Sequence, residues 1–216
     1  LMPVRGRVVT LLTQVLVDSG DAAFEHPAKP VGPVYSRRES ERMASEKGWT
    51  MAPDGEHFRR VVASPLPLAI VELEVIRLLV DNGVVVICAG GGGIPVVSDG
   101  SGRLHGVEAV IDKDLSSGLL SRELAADMFI MLTDVPNVCE HFGAAGQRPI
   151  AAASPAALET LEFAPGSMGP KVTAACQFVR ATGKPAAIGR LTDLGAILRG
   201  EAGTRVSMDA AGIQFA

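Results

Sequence analysis

Lys29, Lys113 and Lys171 each stand inside a short motif built from glycine, proline or aspartate: Lys29-Pro30-Val31-Gly32-Pro33, Ile111-Asp112-Lys113-Asp114-Leu115 and Gly166-Ser167-Met168-Gly169-Pro170-Lys171. The chain has five lysines against fifteen arginines, so most of its lysines fall in such loops. Lysine carries a compact ammonium on a flexible stem, suited to following a moving phosphoryl group, whereas arginine presents a rigid fork. Four consecutive glycines, Gly90, Gly91, Gly92 and Gly93, directly follow the apolar run Val84–Ala89. A buried strand opening into a loop without side chains lets backbone amides approach an anion. One or two glycines suffice for a tight turn, and each further one forfeits roughly 0.5–1 kcal/mol relative to alanine. Together the lysines and the glycine loop have the makings of a phosphoryl-transfer site.

The remaining candidates are read in the same way. Asp112 and Asp114 flank Lys113 just before a predicted helix, where carboxylates suit the positive helix end. In a functional site Lys113 would neutralise charge on the transferred phosphoryl, and Asp114 would hold the lysines or a metal in position. Pro170 fits the first turn of a helix, but Lys171 beside it opposes the helix dipole by about 0.3–1 kcal/mol. A phosphate lying between Lys171 and the helix end removes that conflict. Thr133, Asp134 and Val135 follow a buried strand and suit a pocket wall; Thr133 and Asp134 either bond a nucleotide or close an Asx or ST turn. Asp127, His105 and His141 have no catalytic partner by spacing and read as structural or solvated.

Several classes of function are excluded. The formal net charge of −4 speaks against a nucleic-acid binder that relies on bulk positive charge. The three cysteines, Cys88, Cys139 and Cys176, are an odd number without CxxC spacing, which fits a reducing cytoplasm rather than a disulfide framework or zinc site. No apolar run approaches the roughly 20 residues of a membrane span, and Leu1–Thr10 lacks the pattern of a secretory signal. The glycine loop matches neither GxxxxGK[ST] nor GxGxxG. No residue set is assigned to a resident metal ion.

These groups must be positioned by the elements around them. Arg7–Val17 reads as one mostly buried strand. The stretch 18–65 changes character, with Pro27, Pro30, Pro33 and Pro53 breaking long periodicity; a helix over 37–47 and a hairpin including Trp49 and 57–62 make it read as an inserted lid, over 21–62. Downstream, the spacing predicts helices over 69–82, 116–126, 154–161, 168–182 and 192–198. Strands are predicted over 84–88, 128–132, 184–189 and 203–208, with an irregular or hairpin excursion over 136–149. Strands alternating with helices indicate an α/β fold with a mainly parallel sheet between two helical layers. Ligands of such sheets bind beyond the C-terminal ends of the strands.

With these motifs in place, the chain resembles the carbamate kinases of the amino acid kinase superfamily. The matching segments are VVTLLTQVLVD (8–18), HPAKPVGPVYS (26–36), RRVVASPLP (59–67), VICAGGGGIPVV (86–97), GVEAVIDKDL (106–115), ADMFIMLTDV (126–135), GSMGPKVTAA (166–175) and GTRV (203–206). They keep the family's order over nearly the whole chain. The resemblance implies a three-layer α/β/α sandwich over 1–216, a protruding lid subdomain over 21–62, a homodimer, and no nucleic-acid or membrane partner. It implies reversible phosphoryl transfer between ATP and carbamate, giving ADP and carbamoyl phosphate with Mg2+, as in arginine metabolism. Carried over residue by residue, it implies that Lys113 and Lys171 contact the transferred phosphoryl, Asp114 orients them and Lys29 approaches from the lid. Gly90–Gly93 would lie against the small substrate or phosphate, and Thr133, Asp134, Val135, Met168 and Gly169 would bind the nucleotide. Family members also carry a GGNA-type glycine loop upstream of the VVTLLTQ strand. The matched segments begin downstream of it, so the sequence is expected to be the C-terminal portion of a longer enzyme or a shortened member. Alternatives are a nucleotide-binding remnant without turnover and a kinase of another small carboxylate.

Overall fold

A computed structural model describes residues 6–164 and 166–216 of the chain. It divides into two compact units, the first ending at Ser116 and the second running from Ser117 to Ala216.

In the first unit β1 (Val8–Thr10) pairs in parallel with a later strand, and β2 (Gln14–Leu16) follows after a break. Next come β3 (Lys29–Tyr35), α1 (Arg37–Lys47), β4 (Met51–Asp54) and β5 (His57–Val62), which carry the separate antiparallel sheet β3-β5-β4. Helix α1 begins where Ser36 and Glu39 form a reciprocal capping box, and it stops at Gly48 in the left-handed region. Its polar sequence buries only Ser40. Cations cover two aromatic rings here: Arg37 lies over Phe58 of β5, and Lys47 and Arg60 lie over Trp49 just before β4. The helix and hairpin expected within 21–62 are therefore both formed.

Then β6 (Ala69–Ile70), α2 (Leu73–Asp81), β7 (Val85–Ile87), β8 (Ile94–Ser98) and β9 (Leu104–Gly106) complete the unit's strands. The expected helix over 69–82 starts late. Leu68 and Val71 donate backbone bonds to Leu16 and Gln14, and the Glu72 carboxylate accepts from both the amide and the side chain of Gln14 at 2.8 and 3.0 Å, which holds Ala69–Ile70 as a strand beside β2.

The single strand expected over 7–17 is two strands. β1 pairs in parallel with β7, and β2 pairs in parallel with β8. Because the glycine loop separates β7 from β8, the facing chain must break as well, and it does so at Leu11–Thr13. Antiparallel β6 and β9 extend the second pair.

Helix α3 (Lys113–Glu123) precedes the second unit's strands β10 (Phe129–Thr133), β11 (Cys139–Glu140) and β12 (Arg148–Ala153). These are followed by α4 (Pro155–Leu158), α5 (Met168–Thr182), β13 (Ala186–Arg190), α6 (Leu194–Arg199), β14 (Thr204–Val206) and β15 (Ile213–Phe215). The sheet order is β10-β13-β14-β12-β11, with β15 added antiparallel to β12. Parallel pairs β10–β13 and β12–β14 are joined by the antiparallel pair β13–β14. Helix α5 runs over its expected residues and ends at Gly183, φ 70°. It buries Val172, Ala174, Ala175, Cys176, Phe178 and Val179, and Phe178 meets Phe129 at 5.6 Å between ring centroids. Strand β15 was not anticipated.

Candidate functional site

Two cavities, the first in the first unit and the second in the other, gather sequence-predicted residues. In the first unit, a cavity of about 700 Å3 is bounded by Thr10–Thr13, by Ile87–Gly91 with Gly93 and Ile94, and by Ala109 and Val110. The four glycines divide into two pairs. A Cβ on Gly92 would lie 2.0 Å from the Ile111 carbonyl oxygen, and one on Gly93 would lie 2.4 Å from Val15 Cγ2. Both also have positive φ, 139° and 92°. Their lack of a side chain is required by packing. Gly90 and Gly91 are exposed, with open space where a Cβ would stand; both line the cavity, and of the two only Gly90 has positive φ, 48°.

The loop is pinned from two sides. Thr13 Oγ1 accepts from the Ala89 amide at 2.8 Å, and Ser116 Oγ donates to the Gly92 carbonyl at 2.6 Å. The Gly90 and Gly92 amides bond within the loop, to Cys88 and Ala89. Both pinning residues are almost fully buried, and neither was singled out from sequence.

The lysine motifs of this unit meet at the start of α3. Lys29 Nζ lies 2.6 Å from Asp112 Oδ2. Asp112 Oδ1 accepts from the amides of Asp114 and Leu115 at 2.9 and 3.4 Å, so Asp112 caps α3 and starts it earlier than residue 116. Burial opposes ionisation of Asp112, but the Lys29 hydrogen bond, the Asp114 amide and the Lys29 charge outweigh it and hold the carboxyl below the usual carboxylate range. Lys113 Nζ lies 3.6 Å from Asp114 Oδ2; the Lys113 side chain is 60% exposed and that of Asp114 only 10%. Asp112 is the residue that sequence reasoning named but gave no task; its signal was the second carboxylate of the motif.

In the second unit a cavity of about 770 Å3 brings together Thr133, Asp134, Val135, Met168 and Lys171. Lys171 is 8% exposed, on the fourth residue of α5. The first turn of α5 holds no acidic side chain and Ser167 makes no side-chain cap. Gly169 does not line the cavity. Its amide bonds the Ala164 carbonyl at 2.9 Å, and a Cβ there would stand 3.1 Å from the same oxygen, which makes it a packing residue for the helix entry. The Thr133 hydroxyl donates to the Asp134 carboxylate at 3.0 Å, a pair between neighbouring side chains and not the side-chain-to-backbone bond of an Asx or ST turn. Phe163 and Phe142 also line the cavity, as does His141, whose φ is 52°; no motif marked these residues.

The other titratable residues are accounted for by structure. His105 lies 3.0 Å from Asp99, and Asp127 takes Lys184 at 2.9 Å. Cys139 and Cys176 are buried, and burial, followed by the Glu159 charge, pushes the Cys176 thiol up to about 11.

The chain matches the Amino acid kinase family over residues 5–190. It is 51% identical over 215 residues to the carbamate kinase of Haemophilus influenzae, covering 100% of this chain and 69% of that protein. It is 49% identical over 209 residues to the carbamate kinase of Rhizobium meliloti, covering 96% and 64%. Among solved structures, carbamate kinase from Giardia lamblia bound to AMP-PNP superposes with a TM-score of 0.82 at 44% identity, covering 94% of this chain and 66% of that one. The chain thus spans about two thirds of the length of these relatives.

Proposed function

The chain belongs to the amino acid kinase family, on its carbamate kinase branch, and from that membership we propose that it catalyses reversible phosphoryl transfer between ATP and carbamate, giving ADP and carbamoyl phosphate. The observation that carries this reading is the gathering of Thr133, Asp134, Val135, Met168 and Lys171 in one cavity at the entrance of α5. There a nucleotide would lie along the strand-end turn, and its phosphates would meet the Lys171 ammonium and the amide end of the helix. In the first unit, Gly90 and Gly91 would receive the small acceptor or its phosphate. Lys113 and Lys29 would neutralise the phosphoryl charge, with Asp114 orienting the Lys113 ammonium. No covalent nucleophile is needed, because positioning and charge stabilisation supply most of the catalysis in phosphoryl transfer.

Mg2+ would enter with the nucleotide. Such ions are bound by phosphate oxygens and one or two carboxylates rather than by a protein cage. Among the described residues no three His, Cys, Asp or Glu side chains converge as a cage, and Asp114, buried beside Lys113, is the carboxylate that fits this mode. When bound, the ion would supply charge neutralisation along the phosphate chain.

A homodimer in a reducing cytoplasm completes the reading. Val8, Leu12, Val75, Leu78, Val85 and Ile87 are exposed in the first unit, and exposed apolar side chains are what a covering partner would bury. All three cysteines are free thiols, and no helix among the described residues is long and apolar enough to cross a membrane.

The test is ATP formation from carbamoyl phosphate, ADP and Mg2+, with Lys113→Ala and Lys171→Ala alongside. The expected result is turnover that falls by about a hundredfold or more in each variant, as when a transition-state charge partner is removed. ADP binding without turnover in the unsubstituted chain would replace this reading with that of a nucleotide-binding protein. Turnover on another small carboxylate but not on carbamate would reassign the acceptor.

A further inference from the structure

Resting on the kinase reading above, we propose that Asp112 is a positioning residue for the reaction: it sets the Lys29 ammonium at the first turn of α3, beside Lys113 and Asp114.

The two oxygens of Asp112 do different work. Oδ1 accepts the amides of Asp114 and Leu115 and so fixes the carboxylate to the helix start. Oδ2 faces outward to Lys29 Nζ at 2.6 Å. A residue that served only as a cap would need one oxygen, and the second would be left to solvent. Here it holds a lysine from a strand 83 positions away in sequence, and the carboxylate side chain is 9% exposed while that of Lys29 is 27% exposed. An ammonium has three donors. Asp112 occupies one of them, so the contact fixes the place of the charge while leaving donors for a ligand.

The place it fixes matters because of where Lys29 comes from. Lys29 is the first residue of β3 and pairs with Val62, the last residue of β5, so it sits at the root of the three-stranded sheet. Two further bonds reach from that root to the segment leading into α3: Arg60 pairs with Glu108, and the Val110 amide donates to the Ala63 carbonyl at 2.9 Å. The Arg60–Glu108 pair is on the surface, with Glu108 80% exposed, and such pairs contribute little. The Lys29–Asp112 pair is the shielded link, and it is charge-assisted. Two lysines and two aspartates are thereby collected at one helix start with their charges balanced, and an arriving phosphoryl anion turns that balance toward the lysines.

The test compares the unsubstituted chain with Asp112→Asn, which keeps an oxygen able to cap α3 and removes the charge that holds Lys29. Two readouts are taken: the rate at which Lys29 is acylated by an amine-reactive ester, scored by peptide mass spectrometry against exposed Lys47, and the kinetics of ATP formation from carbamoyl phosphate and ADP. The proposal expects Lys29 acylation to rise roughly tenfold in Asp112→Asn, the size of a lost hydrogen bond to a charged group. It expects kcat per folded molecule to fall about tenfold or more with KM for ADP unchanged, and a rise in acylation confined to Lys29 with Lys47 unchanged, since loss of folded protein would expose lysines together and lower kcat only through the count of active molecules. Equal acylation in the two proteins overturns the pairing. Higher acylation with unchanged kcat overturns the positioning role while leaving the kinase reading intact. No ATP formation by the unsubstituted chain overturns the kinase reading and the role with it, whatever Lys29 does. Should Asp112→Asn not fold, the unsubstituted chain still decides: Lys29 must acylate several-fold more slowly than Lys47, and an equal rate overturns the proposal.

Discussion

The Thr13 hydroxyl accepts the Ala89 amide at 2.8 Å while donating to the Leu11 carbonyl at 3.1 Å, which ties the break between two strands to the start of the glycine loop that makes the break necessary. Ala89 has φ 61°, a left-handed conformation that a non-glycine residue adopts at a cost, so its amide needs that partner. Thr13→Val keeps the shape and leaves a buried N–H unpaired. A loss of about 1–3 kcal/mol is expected, read as a lower urea midpoint at unchanged slope.

The four glycines should separate by substitution. Gly92→Ala drives a methyl into the Ile111 carbonyl at positive φ, and a destabilisation of about 2–4 kcal/mol is expected. Gly91→Ala meets open space and should stay within about 0.5 kcal/mol of the unsubstituted chain, yet weaken carbamoyl phosphate binding. Thermal unfolding and calorimetric titration separate the two; equal stability loss at both positions would refute the division.

The acid limb of stability should report Asp112. Its folded carboxyl is held below the ordinary value of 3.8, so the contribution is fully present above that value and is lost as pH falls through the lower, folded one. Between pH 7 and pH 5 the difference in urea midpoint between the unsubstituted chain and Asp112→Asn is expected to stay constant. It should shrink below the ordinary carboxylate value of 3.8. A difference that shrinks between pH 7 and pH 5 would contradict the assignment.

The thiols should react in a fixed order. Cys176 is 1% exposed and its thiol is pushed up to about 11 by burial and by Glu159, so at pH 8 it should resist alkylation until the protein unfolds. Cys88 lines the glycine cavity and is half-buried. It should alkylate first and be slowed by carbamoyl phosphate, as followed by mass spectrometry of the two peptides.

Much of this molecule is written locally. Helix α5 is legible end to end because the Gly-Ser-Met-Gly-Pro turn, an apolar stripe and Gly183 all lie within a few residues of its ends. Helix α1 carries its own capping box. The lysine motifs and the glycine run are likewise local patterns, and they sufficed to point to phosphoryl transfer. The pairings were not legible. Nothing near Leu11–Thr13 says that the strand must break, because the cause is the loop after β7, 76 positions away from Thr13. The two roles within Gly90–Gly93 are indistinguishable as letters and separate only when Ile111 and Val15 close on two of them. The Gly169 amide bond to Ala164 is likewise invisible in the sequence. The late start of α2 and the strand β15 follow from pairing with β2 and β12, and strand pairing depends on partners rather than propensity. Turn chemistry, caps and the type of reactive group depend on neighbours in sequence and so were determined by the sequence itself. Which oxygen of Asp112 meets which lysine depends on neighbours in space, and that only the tertiary structure decided.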